Sequence, residues 1–218
     1  MSRPPANGYR NMSNGSNPQL MAGPSSSMNS SSRLNTPQQP AQRPGSAGIT
    51  RAERFEDEKR RIIESCFSKT DANGQLSESY ITHIRIVEDA AHPSSPPPPD
   101  SNPDNKKPRL IIIAVRNTGR VRMHKARENN NGSFSIGKTW NLEELSAIET
   151  FAGQQPPRDD REAQYRQWAG TVGFVVTITK PYYWQAGTSK EKDFFIASAV
   201  KIYRQYTKGL VPELKGFD

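Results

Sequence analysis

One short segment of the chain concentrates positively charged side chains. Residues 105–140 contain nine lysines and arginines but a single acid, Glu128, whereas the whole chain holds 30 basic and 22 acidic residues. Residues 1–50 add four arginines and no acid. A segment this lopsided favours an anionic partner, which can be a phosphate head group, a nucleic-acid backbone or an acidic protein.

The basic residues of the segment 120–127 divide into two sets. Successive side chains of a strand point to opposite faces, so alternation places four residues together: Val121, Met123, Lys125 and Arg127. Because two apolar residues give way to two cations on this face, we expect the strand to run from a core to an open rim. We expect the charged members of the other set to be exposed to solvent: Arg120, Arg122 and His124.

Further cations arrive at the start of the preceding strand, which "RLIIIAVRN" predicts from Arg109 onward. Neighbouring strands are expected to be antiparallel, so this start lies near the end of the strand that carries Arg127. We therefore expect Lys106, Lys107 and Arg109 near the same rim. Such a rim suits a multiply phosphorylated head group, because arginine offers a bidentate fork and lysine a mobile point charge.

The charge is also compatible with two alternative roles. Cations on a strand can solubilise a sheet and protect its edge from pairing with another chain. Nucleic-acid binding is less favoured, because Phe134 and Trp140 are the main aromatic residues of the segment and no RNA- or DNA-binding motif accompanies them. The histidines and Cys66 form no nucleophile, base or metal-ligand spacing, so neither an enzyme nor a cofactor is expected.

The remaining pattern predicts an α+β domain. Thr50 and Glu53 form a capping box that opens a helix, and Thr188 and Glu191 form a second one. Between them lies a meander of strands, of which "YITHIRIVED" over residues 80–89 is typical. Strands followed by an amphipathic helix indicate a bent antiparallel sheet, or partly open barrel, that the last helix covers.

Three regions follow from composition. Residues 1–48 are rich in Ser, Asn, Pro and Gln and are predicted to be a disordered tail. Residues 49–218 are predicted to form the domain, and residues 90–107 to form a proline-rich loop within it. No apolar run approaches the length of a bilayer span, and no signal-peptide core is present, so we expect a cytoplasmic protein.

The segments "PRLIIIAV", "GRVRMHKARENNNGSFSIGKTWNLEELSAIE" and "GFVVTITKPYYWQAGTSKEKDFFIASAVKIYRQYTKG" carry a resemblance. They are similar to the amino-terminal domain of the exocyst subunit SEC3 in its fungal form, over about residues 50–217. That family has a cryptic pleckstrin-homology fold. The resemblance implies binding to phosphatidylinositol 4,5-bisphosphate (PIP2) at the inner plasma membrane, binding to a GTP-loaded Rho-family GTPase, and a role in vesicle tethering.

The resemblance also implies which residues bind the lipid. Lys125 and Arg127 match the family's Lys-x-Arg pair, and Lys138 takes the basic position of the "GKTW" segment. The cation at the end of the long loop falls on Lys107, with Lys106 or Arg109 as substitutes. Lys138 shares the alternation of Phe134 and Ile136, so whether it joins the others depends on strand register.

Several expectations about partners stay open at this stage. The family's subunit continues into long helical rods whereas this chain stops at Asp218, so assembly with other exocyst subunits is a weaker expectation than lipid binding. The first helix packs either on its own domain or on a second copy in a homodimer. A phosphotyrosine- or peptide-binding adaptor of the same fold is an alternative, with Trp168, Tyr182, Tyr183 and Trp184 as residues of interest.

Overall fold

Eight strands and three α-helices build the described part of the chain. The computed structural model describes residues 50–217, so the disordered tail predicted for residues 1–48 lies outside the described part. Two short 3-10 helices accompany the main elements, at Pro103–Asn105 and Leu142–Glu144. In chain order the main elements are α1 Arg51–Cys66, β1 Glu78–Asp89, β2 Lys106–Arg116, β3 Val121–Glu128, β4 Phe134–Asn141, β5 Leu145–Thr150, α2 Asp160–Ala169, β6 Gly173–Ile178, β7 Lys180–Ala186, α3 Ser189–Tyr206 and β8 Glu213–Lys215.

The strands form one sheet in the order β4-β3-β2-β1-β7-β6-β5-β8. The pairs from β4 through to β5 are antiparallel, and β8 adds to β5 in parallel. Both halves of the sheet contribute to one apolar cluster, for example through Ile113 of β2 and Trp184 of β7, so the sheet bends around a shared core. The expected bent sheet is confirmed, with a short parallel edge strand that the sequence pattern did not predict.

Helix α3 closes this core. Phe195, Ile196, Ala199 and Tyr203 are buried in the same cluster, as expected for the stripe of an amphipathic helix. The Thr188 side chain accepts a hydrogen bond from the Glu191 backbone N–H, which satisfies one of the amides that a helix start leaves without a partner. The other half of the predicted capping box is replaced by an ion pair, because the Glu191 carboxylate lies 3.0 Å from Arg51.

Helix α1 covers the opposite face of β2 to β4. Its capping box is complete, since Glu53 N–H donates to Thr50 Oγ1 and Thr50 N–H donates to Glu53 Oε2. Ile62 and the cap residue Phe67 pack in a second apolar cluster with residues of the sheet that include Leu110, Ile112 and Phe134. The first half of the sheet is therefore buried on both faces, and α1 packs on its own domain.

This cover overturns the expectation that His124 is solvated. His124 is 2% exposed and lies against Phe67, with Nε2 3.0 Å from Glu78 Oε1 and Nδ1 2.8 Å from Thr139 Oγ1. Arg122 is half-buried and ion-paired with Glu78 at 2.6 Å, whereas Arg120 is exposed. The prediction was wrong for His124 because the residues that cover this face come from α1, far away in the sequence.

The proline-rich loop is shorter than predicted. It ends at Asn105, because Lys106 and Lys107 already pair with Asp89 and Glu88 of β1. Pro108 is tolerated inside β2 because pairing of β2 with β3 begins only at Leu110, so no ladder bond is required on that side. The loop also reaches the other half of the sheet, where the Pro93 carbonyl accepts a hydrogen bond from Tyr183 N–H at 2.9 Å.

Three further segments complete the secondary structure. Residues 142–150 are a 3-10 turn followed by a strand, and residues 160–169 are a helix. The segment "TVGFVVTITKPYYW" contains β6 and most of β7, two strands joined at Thr179, whose φ of 60° lies in the left-handed region. Such a conformation is unusual for a β-branched residue and follows from the tight pairing of Ile178 with Lys180.

Candidate functional site

A set of cations lies on the inner face of the sheet, the face that carries the main core. Lys125 is paired with the core residue Ile111 on one side and with Lys138 on the other. Arg109 is paired with Ile86, another core residue. Directly paired residues project from the same face of a sheet, so these three cations continue the core surface toward the end of the strands.

Alternation along the strands adds further members to this set. Arg127 is two residues beyond Lys125, and Lys107 is two residues before Arg109. On β7, Trp184 and Tyr182 belong to the core, and Lys180 follows them at the same spacing. We call this inner-face set the basic mouth: Lys107, Arg109, Lys125, Arg127, Lys138 and Lys180.

A β-bulge decides the position of Lys138. Lys125 pairs with Lys138 but its neighbour Ala126 pairs with Ile136, so Gly137 is the extra residue. The bulge reverses the alternation of β4, with Phe134 buried in the α1-facing cluster and Trp140 buried in the main core. Lys138 therefore joins the face of Lys125, and simple parity with Phe134 and Ile136 would have placed it on the wrong side.

Aromatic rings hold the Lys138 ammonium at the mouth. Its Nζ donates a hydrogen bond to Tyr182 Oη at 2.8 Å and lies 5.0 Å from the centre of the Tyr182 ring and 5.2 Å from that of Trp140. Lys180 Nζ lies 5.5 Å from the centre of the same tyrosine ring. Burial raises the pKa of the Tyr182 phenol, but the hydrogen bonds with Lys138 and Trp140 and the charges of Lys138 and Lys180 together outweigh it and leave that pKa below its usual value. Lys138 is thus oriented while it stays exposed.

One acid, Glu88, lies among these cations. Its Oε2 is 2.6 Å from Lys125 Nζ and its Oε1 is 3.1 Å from Arg109 Nε. Within residues 50–217, Lys107, Arg127 and Lys138 take part in no ion pair. The basic mouth therefore consists of two cations bridged by one carboxylate, surrounded by others that are available to an external anion.

Lys106, the weaker candidate, lies elsewhere. It pairs with Asp89 and, by alternation, projects from the face opposite to Lys107. There it lines a pocket of about 310 Å³ with Pro97 to Pro99, Gln167, Trp168 and Gln185. Of the loop-end cations predicted from the sequence, the structure brings Lys107 and Arg109 into the basic mouth and separates Lys106 from it.

Arg127 lies at the outer margin of the mouth. It is exposed and, with Arg109, helps to line a pocket of about 150 Å³ where β2 begins and β3 ends. Its neighbour Glu128 is held away from it, with Oε1 2.7 Å from Arg61 and Oε2 2.9 Å from Arg85. The hydrogen bond from Arg61 is the main reason that the pKa of Glu128 lies below its usual value.

Glu88 and Lys180 were not among the predicted site residues, although the alternation of their strands already indicated both. Ile84 and Ile86 give way to Glu88, just as Val121 and Met123 give way to Lys125, and Trp184 and Tyr182 lead to Lys180. The excess charge of residues 105–140 is also reduced in the fold, because Glu78 and Glu88 of β1 pair with its cations. Strand pairing between distant segments brings these acids into place.

The aromatic residues considered for a peptide groove are mostly internal. Tyr182 and Trp184 belong to the main core, and Tyr183 is buried in a third cluster with Phe151 and Ala169. Trp168 is half-buried and lines the pocket next to the proline-rich loop. These aromatic side chains therefore serve packing, apart from the contacts that Tyr182 makes with Lys138 and Lys180.

Comparison with solved structures finds chains that contain DH/PH fragments. They are the linker-DH/PH domains of p115-RhoGEF, the ternary complex of human RhoA, its inhibitor and the DH/PH domain of human ARHGEF11, and human RhoA with the DH/PH fragment of PDZRHOGEF. Sequence identities are 11%, 9% and 9%, with TM-scores of 0.36, 0.36 and 0.37. The matches cover 70% of this chain and 39%, 38% and 38% of those chains.

A search of curated proteins gives no significant match for this chain. Among the described residues, none of the helices is both long and apolar enough to cross a membrane.

A family model matches the part of the chain that carries the basic mouth. The match covers residues 104–205, from the end of the proline-rich loop to the end of α3, and the family is described as the exocyst complex component SEC3 N-terminal PIP2-binding PH domain. This family is a non-enzymatic lipid-binding module, and its fold agrees with the bent sheet and covering helix described above. Residues 104–205 are therefore similar to the family of exocyst SEC3 amino-terminal PIP2-binding pleckstrin-homology domains.

Proposed function

We propose that this protein binds PIP2 through the basic mouth and thereby attaches to the inner face of the plasma membrane. The observation that carries the proposal is the convergence of cations from four strands on one rim of a domain that is similar to a PIP2-binding family. The proposed lipid ligands are Lys107, Lys125, Arg127 and Lys138, with Arg109 as a helper. Lys106 is not included, because it projects from the other face.

The energetics favour a specific head group over general attraction. Each lysine or arginine near an anionic leaflet contributes about 1 kcal/mol, so four of them supply roughly 4 kcal/mol, a millimolar-class interaction. Hydrogen bonds to charged phosphate groups, at about 1.5–3 kcal/mol each, can raise this to micromolar affinity. The ammonium of Lys138 suits such bonds because its hydrogen bond to Tyr182 already orients it. The planar arginine fork suits them because it loses less entropy for each hydrogen bond formed.

Micromolar binding to one lipid localises a protein weakly, so a second contact is needed for stable attachment. By the family resemblance, we propose that this contact is a GTP-loaded Rho-family GTPase and that the protein acts in exocyst-dependent vesicle tethering and exocytosis. A vesicle titration with and without the GTP-loaded GTPase tests this step. Tighter membrane binding in its presence is expected, and an unchanged dissociation constant would remove the GTPase from the proposal.

The test of the lipid site is the double variant K125E/R127E in sedimentation with PIP2-containing vesicles. We expect pelleting to fall to the level seen with neutral vesicles, because two attractive charges of the mouth become repulsive. The matched control is K190E/K201E, which makes the same change of charge at two exposed positions of α3. This control is expected to retain most of the binding.

Circular dichroism and thermal unfolding must show that both variants are folded. A folded K125E/R127E variant that pellets like the wild type would refute the site. An equal loss of pelleting in K190E/K201E would mean that the loss reflects net charge alone. If the wild type binds nucleic acid more tightly than PIP2 vesicles at physiological salt, the functional proposal is wrong.

A further inference from the structure

Glu88 occupies an unusual position for an acid next to a site for anions. It continues the inner-face row of Ile84 and Ile86, its side chain is 17% exposed, and its two carboxylate oxygens contact Lys125 and Arg109 separately. The partner of Glu88 in the strand ladder is Lys107, a third cation of the mouth. An acid that bridges two cations in this way holds a place that a phosphate group of a ligand would take.

We infer that Glu88 is the selectivity residue of the mouth, a built-in anion that a head-group phosphate must displace. This inference rests on the proposed function. To reach Lys125 and Arg109, a phosphate replaces contacts that the carboxylate already makes, and the exchange of one anion for another yields little free energy. Glu88 therefore weakens the binding of any head group whose single phosphate must be held by Lys125 and Arg109, the two cations that it bridges.

A second phosphate on the same head group does not have to displace the Glu88 carboxylate. Lys107, Arg127 and Lys138 take part in no ion pair within residues 50–217, so a head group that carries two phosphates can place one on them without displacing an acid. The carboxylate thus raises the charge that a ligand must carry to bind at the mouth. Bisphosphorylated inositol lipids exceed it, whereas monophosphorylated inositol lipids and phosphatidylserine do not.

An alternative role for Glu88 is merely to position Lys125 and Arg109 for the lipid. The two roles predict opposite results for E88Q, which keeps the size of the side chain and removes its charge. If Glu88 only positions the cations, E88Q weakens binding of the bisphosphate. If Glu88 is a displaced anion, E88Q strengthens binding, and most strongly for ligands with one phosphate.

The experiment measures the affinity of the full chain for three vesicle compositions, containing PIP2, phosphatidylinositol 4-phosphate or phosphatidylserine. We expect E88Q to bind the monophosphate vesicles about fivefold more tightly than the wild type, the effect of one charge near an anionic leaflet. Binding to PIP2 should rise by a smaller factor, so the ratio between the two affinities falls. E88D, which keeps the charge, should retain the wild-type ratio.

The control for net charge is E64Q, because Glu64 is an exposed residue of α1, on the helix that covers the opposite face of the sheet. It should leave the ratio unchanged. An E88Q variant that is folded and shows the wild-type ratio, or weaker PIP2 binding, would overturn the role of Glu88 while the proposed function stands. A wild type that fails to bind PIP2 vesicles would overturn both.

Discussion

The strand pattern predicts that His124 is exposed to solvent, whereas the fold buries it. It occupies a strand rich in cations, yet its ring is buried and contacts Glu78 and Thr139. Burial lowers the pKa of His124, and the hydrogen bond to Glu78 only partly opposes this. Glu78 is itself desolvated, which raises its pKa, but hydrogen bonds from Arg122 and His124 outweigh that effect and lower it.

The histidine predicts a pH dependence of stability. Because its pKa is lowered by folding, the unfolded chain binds more protons once the pH falls below about 6.5, the ordinary value for histidine. The contribution of His124 to the free energy of unfolding is therefore fully present above that pH and is lost as the pH falls. Chemical denaturation at pH 7.5 and 5.5 should show a larger loss for the wild type than for H124Q. Equal losses in the two proteins would contradict this.

At the scale of elements, α1 is as much a part of the domain as the sheet. It supplies Ile62 to the second apolar cluster, and its Glu58 and Arg61 reach charged groups on β1 and β3. The Ser65 hydroxyl accepts a hydrogen bond from Phe134 N–H at 3.1 Å, so the helix also satisfies part of the free edge of β4. An exposed edge strand is a risk for unwanted pairing, and α1 reduces it.

The packing of α1 is tested by comparing I62A with I63A. Ile62 is 0% exposed whereas Ile63 is only half-buried. We expect I62A to lower the free energy of unfolding by about 2–5 kcal/mol, the usual cost of removing a buried isoleucine side chain, and I63A to cost less. Urea denaturation gives both values. A loss below about 1 kcal/mol for I62A would mean that α1 does not pack on the sheet in solution.

The bulge at Gly137 is the element that completes the mouth. Without the reversal of alternation that it causes, Lys138 and Trp140 could not both lie on the inner face while Phe134 packs under α1. One strand thereby serves two cores and also presents a cation at the rim. Bulges commonly redirect side chains in this way near functional sites.

At the scale of the whole molecule, the separation of charge matters more than the total. The chain carries 30 basic and 22 acidic residues, but acids from α1 and β1 pair with cations over much of the sheet surface. Within residues 50–217, the mouth cations Lys107, Arg127 and Lys138 take part in no ion pair, so their field is directed at one end of the domain. A field of this kind orients the domain when it approaches an anionic membrane.

This separation predicts a strong salt dependence of membrane binding. Raising the salt from about 0.05 M to 0.5 M shortens the Debye length to a few ångströms and screens the long-range part of the attraction. We expect the affinity for PIP2 vesicles to fall by about tenfold or more over this range, as for several cations that each lose most of their contribution. K125E/R127E should show a shallower dependence. An affinity that is independent of salt would exclude an electrostatic contact.

The sequence by itself determined the features that depend on neighbouring residues. The capping box at Thr50, the stripe of α3 and the core-to-rim row of Met123, Lys125 and Arg127 follow from local periodicity, and the structure has them all. The same rule, applied to β1, would also have indicated Glu88 as a rim residue. The family resemblance then added the expected ligand to a rim that alternation had already placed.

Only the tertiary structure decided which of these residues meet. The ion pairs of Glu88 with Lys125 and Arg109 depend on the register of β1, β2 and β3, and the proline-rich loop separates β1 from the other two strands. The burial of His124 depends on the docking of α1, and the face of Lys138 depends on one bulge. Register, docking and bulges are fixed by the packing of the whole sheet, because a change of one residue in pairing reverses every side chain that follows.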